Sequence, residues 1–284
     1  MTAVTGLSGR RDGFGVVGAS LRRRDGFGQT RSGRGDEGTG YTIVMLEIRH
    51  LTKSYGAVKA VDDLSLTIDD GDIFGFIGLN GAGKTTTIKA VVGIHPFDSG
   101  EILINGTSIS ADPIAAKRQL AYIPDNPDVY EFMTGGKYLN FVADIFAVGR
   151  RERQERIEKY ATGLELTDDL SSPIGSYSHG MMQKLVVIGA LIHQPKLLVL
   201  DEPFVGLDPR ATFVLKGYFR EMTARGDSIF FSTHGLDVAQ SLCDKIAIIQ
   251  KGVLLEAGAT GQIVGKQSLE SVFLELTAEG ERAQ

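Results

Sequence analysis

Two stretches of the chain carry residue types whose spacing points to phosphate chemistry. The first is Gly78-Leu-Asn80-Gly81-Ala82-Gly83-Lys84-Thr85, which follows the apolar run Ile73 to Ile77 and precedes the helical pattern from Thr86 to Ala90. It fits G-x-x-x-x-G-K followed by Ser or Thr. Glycines let the backbone curl so that successive N–H groups point into one concavity, a helix N-terminus adds positive potential, and Lys84 adds a full charge. The product is a polyphosphate cradle, with the Thr85 hydroxyl placed for Mg²⁺, a cation that takes hard oxygen ligands. The second stretch is Leu197 to Leu200 followed by Asp201-Glu202-Pro203. Two carboxylates at the carboxyl end of a buried strand stand where open α/β sheets hold their ligands. Asp201 suits the hydration shell of the cation. Glu202 suits removal of a proton from an attacking water.

Positioning these groups requires strands that end at a common edge. From 45 to about 123 the chain reads as short strands at Leu46 to Arg49, Leu64 to Ile68, Ile73 to Ile77, Ile102 to Ile104 and Leu120 to Ile123, with one helix after Lys84. About 127 to 193 reads as mostly helical, with Tyr138, Phe141 and Ile145 at helical spacing, then the charged run Arg150 to Lys159, a solvated helix face. Strands return at Leu197 to Leu200, Ile229 to Phe231 and Ile246 to Ile249. The alternation predicts an α/β fold with a mainly parallel sheet covered by helices and a helical insertion between two halves of the core.

Between the two phosphate elements lies Tyr177-Ser178-His179-Gly180-Met-Met-Gln-Lys184, and after them come Gly206-Leu-Asp208 and Ser232-Thr-His234. The segment at 177 to 184 resembles the Leu-Ser-Gly-Gly-Gln signature of ABC ATPases in a degenerate form. Gly206 to Asp208 resembles their D-loop, and Ser232 to His234 their switch histidine. The order of phosphate loop, helical insertion, signature, carboxylate pair, D-loop and histidine resembles this family over essentially all of 45 to 277.

The resemblance implies a P-loop NTPase of ABC type: a RecA-like, mainly parallel core with an antiparallel β subdomain and an inserted helical subdomain. It implies ATP and Mg²⁺ as cofactors, Tyr55 stacking on adenine, and the phosphates held by Gly78 to Thr86, including Asn80, Ala82 and Thr86. Ser178 and Gly180 then meet the γ-phosphate bound by a second copy, so hydrolysis needs a dimer, either of this chain or with a paralogue. His234 contacts the γ-phosphate and helps Glu202 position water, and Asp208 couples the two sites. Two positions depart from the pattern. Asp125 stands where the family carries Gln, within water-mediated reach of Mg²⁺, and His179 replaces the first signature glycine.

The resemblance also implies a membrane permease as partner, received by the helical subdomain near Tyr130 to Met133, and a place on the cytoplasmic face of the membrane. Tyr130 to Gly135, the signature form and Ser268 to Thr277 are similar to ATPase subunits of exporters of drugs, lipids or polysaccharides. The alternative is a soluble ABC ATPase acting on nucleic acid or the ribosome. Such proteins carry two cassettes or a long interrupting coiled coil, and this sequence shows neither.

Bulk properties agree with a folded cytoplasmic ATPase. With 284 residues, 42% hydrophobic and 23% charged, the chain is long enough for a sizeable core. Its net charge of -5 argues against stable nucleic-acid binding through a basic face. Apolar runs such as Leu185 to Ile192 are too short to span a bilayer. The lone Cys243 has no disulfide partner in the chain, and there is no zinc-ligand spacing. Residues 1 to 44 hold 11 of the 36 glycines and 7 of the 30 basic residues, with Arg-Arg-Asp-Gly-Phe-Gly at 10 to 15 and again at 23 to 28. This composition predicts a disordered Gly/Arg-rich tail. Met45, opening a strand pattern, is the expected native start, and 278 to 284 the expected flexible end.

Overall fold

The computed structural model describes residues 44–282. The expectations for residues 1–43, and for the last two, lie outside them. In chain order the strands are β1 Val44–Tyr55, β2 Val58–Asp69, β3 Ile73–Ile77, β4 Ser99–Ile104, β5 Thr107–Ser108, β6 Leu120–Ile123, β7 Leu197–Asp201, β8 Ser228–Thr233, β9 Lys245–Gln250 and β10 Val253–Ala259. The helices are α1 Lys84–Val91, α2 Pro113–Arg118, α3 Gly135–Ile145, α4 Arg150–Gly163, α5 His179–Ile192, α6 Pro209–Thr223, α7 Leu236–Leu242, α8 Thr260–Val264 and α9 Leu269–Arg282.

Strands β2-β1-β4-β5 form an antiparallel sheet. A second sheet runs β10-β9-β3-β8-β7-β6, parallel from β9 to β6 and antiparallel only at β10. The mainly parallel core, the antiparallel sheet and the helices inserted between β6 and β7 are the α/β arrangement that the sequence predicts. Successive residues of the parallel strands feed opposite faces. Ile73, Leu198, Leu200, Ile229, Phe231, Ile246 and Ile248 pack on the side of α5, α6, α7 and α9. Phe74, Phe76, Val199, Phe230 and Ile249 pack with α1 and the antiparallel sheet. Burial on both faces is why these strands read as unbroken apolar runs.

The parallel strands all end at one edge, and that edge carries the chemistry. β3 delivers the glycine loop, β6 delivers Asp125, β7 delivers Asp201 and Glu202, and β8 delivers His234. Helix starts are fixed locally. Asp112, Thr134, Ser178 and Asp208 each accept a hydrogen bond from a backbone N–H in the first turn of α2, α3, α5 and α6, with Pro at the first position of α2 and α6.

The structure differs from the sequence reading in several places. The first half holds two helices, not one, because six-residue α2 is too short to show a periodicity. β5 has two residues, and β10 has no fully buried residue, so neither shows a strand pattern. Strand β1 begins at Val44, and α9 continues to Arg282, past Thr277 where the reading closed the domain. Cys243 is a packing residue: a Cβ at Gly75 would stand 2.7 Å from its Sγ, and burial pushes its thiol pKa up.

Phe231 has no exposed surface and rests edge-on against Phe204, with ring centroids 5.7 Å apart. Phe231→Ala is expected to cost about 3–5 kcal/mol in a denaturant titration, and an unchanged midpoint would contradict the packing described.

Candidate functional site

The glycine loop leaves β3 at Gly78 and enters α1 at Lys84. Gly81 and Gly83 have φ of +79° and +106°, a left-handed region that glycine enters without steric cost. A Cβ at Gly78 would stand 2.5 Å from the Ile249 carbonyl, so the strand and loop close only around glycine. Lys84 folds back over the loop, donating from Nζ to the carbonyls of Gly78 at 2.6 Å and Leu79 at 3.3 Å. Its ammonium is buried and lies 3.7 Å from Glu202 Oε1.

Asp201 and Ser232 are register partners at the ends of β7 and β8. Asp201 is 1% exposed; Oδ1 accepts from the Ser232 hydroxyl, and Oδ2 is buried with no hydrogen-bond partner. Glu202 has a φ of +48°, a strained value for a side chain of its kind. Its N–H donates to Ser232 Oγ at 3.1 Å and points to the Ser232 carbonyl at 3.3 Å, which holds the strained turn. Its carboxylate is thereby set between Lys84 and His234, whose Nδ1 is 3.0 Å from Oε1.

A cleft of about 230 Å³ opens between these elements, lined by the loop residues Leu79 to Gly81 and Gly83 to Thr86, with Ala60, Asp125, Asp201 and Glu202. It brings together Asn80, Gly81, Gly83, Lys84, Thr85, Thr86, Asp125, Asp201 and Glu202 of the residues expected from sequence. Gly78 and Ala82 shape the loop from behind. Tyr55 is outside the lining set, exposed at the end of β1, with its hydroxyl 2.9 Å from His95 Nδ1. Ser178, Gly180 and Asp208 form a separate group. Ser178 caps α5, and Asp208 caps α6 while pairing with Lys184 at 2.8 Å, contacts that hold its pKa below the usual carboxylate range.

The donor set suits a hard divalent cation. The unpartnered Asp201 Oδ2, the Thr85 hydroxyl and the Asp125 carboxylate are all oxygen ligands on this cleft. Among the described residues no group of three or more His, Cys, Asp or Glu is placed to hold a metal. The fit is therefore to an ion that keeps waters and substrate phosphates in its shell, as Mg²⁺ does.

The model of the ABC transporter family matches residues 61–205, from β2 to the loop after Glu202. The chain belongs to the ABC transporter family. It is 38% identical over 213 residues to the ABC transporter ATP-binding protein YhcH of Bacillus subtilis, covering 75% of this chain and 69% of that protein. It is 33% identical over 224 residues to the Nod factor export ATP-binding protein I of Sinorhizobium fredii, covering 79% of this chain and 65% of that protein. The chain thus spans about two thirds of the length of these relatives. A solved ATP-binding subunit of an ABC transporter superimposes with a TM-score of 0.79 at 35% identity, covering 82% of this chain and 99% of that one. The cassette is an ATP-binding subunit of the P-loop ATPase fold.

Ser232 received no role from the sequence, although it opens the Ser-Thr-His segment. Its function depends on the pairing of β7 with β8, which no local pattern reveals. Ser232→Ala strands a buried carboxylate oxygen, and a loss of about 1–3 kcal/mol in folding stability is expected. Stability equal to wild type in urea titration would show that the bridge carries no weight.

Proposed function

We propose that this cassette hydrolyses ATP as a dimer and that the hydrolysis drives a separate membrane permease. The observation that carries the proposal is the placement of Glu202, strained and fixed between Lys84 and His234 at the mouth of the phosphate cradle. The cradle N–H groups and Lys84 take the β- and γ-phosphates of ATP. Lys84 exchanges its carbonyl partners for phosphate oxygens, which its flexible stem permits. Glu202 accepts a proton from the attacking water as the new P–O bond forms and the bond to the ADP oxygen breaks, giving ADP and phosphate. His234 Nδ1, 3.0 Å from Glu202 Oε1, orients the carboxylate and leaves the other ring nitrogen for the γ-phosphate or its water. The Thr85 hydroxyl, Asp201 and Asp125 are the residues that would hold Mg²⁺, which when bound would supply charge neutralisation on the phosphate oxygens.

The dimer reading rests on the second residue group. Ser178 at the N-terminus of α5, Gly180 and Asp208 do not line this chain's own cleft, which is consistent with service to a partner's nucleotide. The partner is a second copy or a paralogue. Tyr55 is assigned to the adenine ring by the same resemblance.

The permease reading rests on an exposed aromatic cluster. Tyr130, Phe132 and Phe141 are exposed, Phe132 by 85%, and the Tyr130 ring, in the segment before α3, stands 5.9 Å from Phe132 and 5.9 Å from Phe141 on α3. Tyr138 and Phe146 instead pack, partly buried, against the core. The adjoining groove of about 320 Å³ runs between α3, α5 and the end of α1, with Val92, Tyr138, Val142 and Phe146 on its walls. Such a surface suits a helix laid into a groove. No helix among the described residues is long and apolar enough to cross a membrane. The family resemblance assigns the path to a permease and the cassette to its cytoplasmic face. Export as the direction is supported by the likeness to the Nod factor export protein.

Glu202→Gln is expected to keep ATP binding and lower turnover by at least about 10²-fold, measured as phosphate release beside nucleotide binding. Undiminished release would assign the base elsewhere. A photo-crosslinker at position 132 in native membranes is expected to capture a polytopic protein, and ribosomal or nucleic-acid adducts alone would refute the permease reading.

A further inference from the structure

The signature helix and the loop after Glu202 are gripped together within one chain, and the grip uses His179, one of the two residues at which this sequence departs from the family pattern. Gly206 has a φ of +80°, and a Cβ built there would stand 2.5 Å from His179 Cδ2 and 2.9 Å from its Nε2. The imidazole therefore lies directly on the glycine. One residue on, a Cβ at Gly180 would stand 2.9 Å from the Gly206 carbonyl, so the first turn of α5 meets the loop backbone without a side chain between. One further turn along α5, Lys184 holds the Asp208 carboxylate at 2.8 Å with its own side chain largely buried. Three successive contacts on one helix face thus fasten residues 206 to 208.

We propose that His179 is a positioning residue that locks the Gly206 to Asp208 loop to the signature helix, so that Ser178 and Asp208 reach the second copy's nucleotide as one rigid unit. The inference rests on the dimer reading above. A glycine at position 179 has no atoms to cover Gly206, so a cassette with the usual signature must hold this loop by other means. The imidazole adds a wedge whose removal leaves the loop held by the Gly180 backbone contact and the Lys184 anchor. The role is mechanical: the ring restricts where the loop sits, and a side chain at 206 would displace it.

The test is a double-mutant cycle on the full chain with G206A, H179G and the doubly substituted protein, reading kcat and KM separately alongside thermal unfolding. Strain from the left-handed backbone at 206 is present with or without His179 and cancels in the cycle. G206A and H179G are each expected to lower kcat about tenfold or more with KM little changed, and the doubly substituted protein to fall no further than the worse of the two. Losses that simply multiply would overturn the proposal. H179F and H179A form a second arm that does not depend on G206A folding. Phenylalanine, which keeps a ring on Gly206, is expected to retain kcat, whereas alanine loses it; alanine equal to wild type counts against the lock. A wild type that does not hydrolyse ATP removes the hydrolysis reading alone. The same four proteins then decide the inference through ATP-dependent dimerisation in size-exclusion chromatography, coupled if the lock exists and independent if it does not.

Discussion

Asp201 is a carboxylate sealed at the end of an apolar strand, with one oxygen taken by Ser232 and the other left without a partner. Burying such a group is costly unless it is paired, and the rest of the site is arranged around that cost. Ser232 is available only because β8 lies beside β7 in a register that sets it opposite Asp201. The same hydroxyl also takes the N–H of Glu202, which fixes the strained turn that aims the next carboxylate at Lys84 and His234. One serine therefore couples Asp201 to Glu202, the residues proposed above as cation-facing acid and base, and the unpartnered oxygen of Asp201 is where a cation's water shell would be satisfied.

Much of this was legible in the sequence wherever burial is two-sided. β3 and β6 match the apolar runs that announce them, and β7 adds only Asp201, because strands covered on both faces must be apolar throughout. The glycine loop could be read because its backbone conformation excludes other residues at Gly78, Gly81 and Gly83. What failed to show was short or half-exposed: six-residue α2, two-residue β5 and β10 at the sheet edge. Helical spacing marked Tyr138, Phe141 and Ile145 within the aromatic-rich segment from Tyr130 to Phe146, but periodicity does not say which side of a helix has a partner. The structure divides this segment, packing Tyr138 and Phe146, partly buried, against the core and leaving Tyr130, Phe132 and Phe141 outside.

Candidate site residues fall into two sets for a physical reason. Those drawn from the ends of β3, β6 and β7 converge on one cleft because parallel strands share a carboxyl edge. Ser178, Gly180 and Asp208 come from helix N-termini that the fold sends elsewhere, and their roles came from resemblance, since nothing in their local spacing names a partner. Within this chain they hold each other through α5 and the Lys184 pair. In the dimer proposed above, such a cassette carries half of each of two sites, and the stiffness of the second half decides how faithfully it meets the first.

The most direct test of this account is phosphate release by the purified chain with ATP and Mg²⁺, followed as the protein concentration is raised. Turnover per chain that climbs with concentration and levels off is the result predicted for two copies completing each other's sites. An absence of ATP turnover at every concentration would contradict the hydrolysis claim, and turnover per chain that is constant from the most dilute sample upward would contradict the shared site.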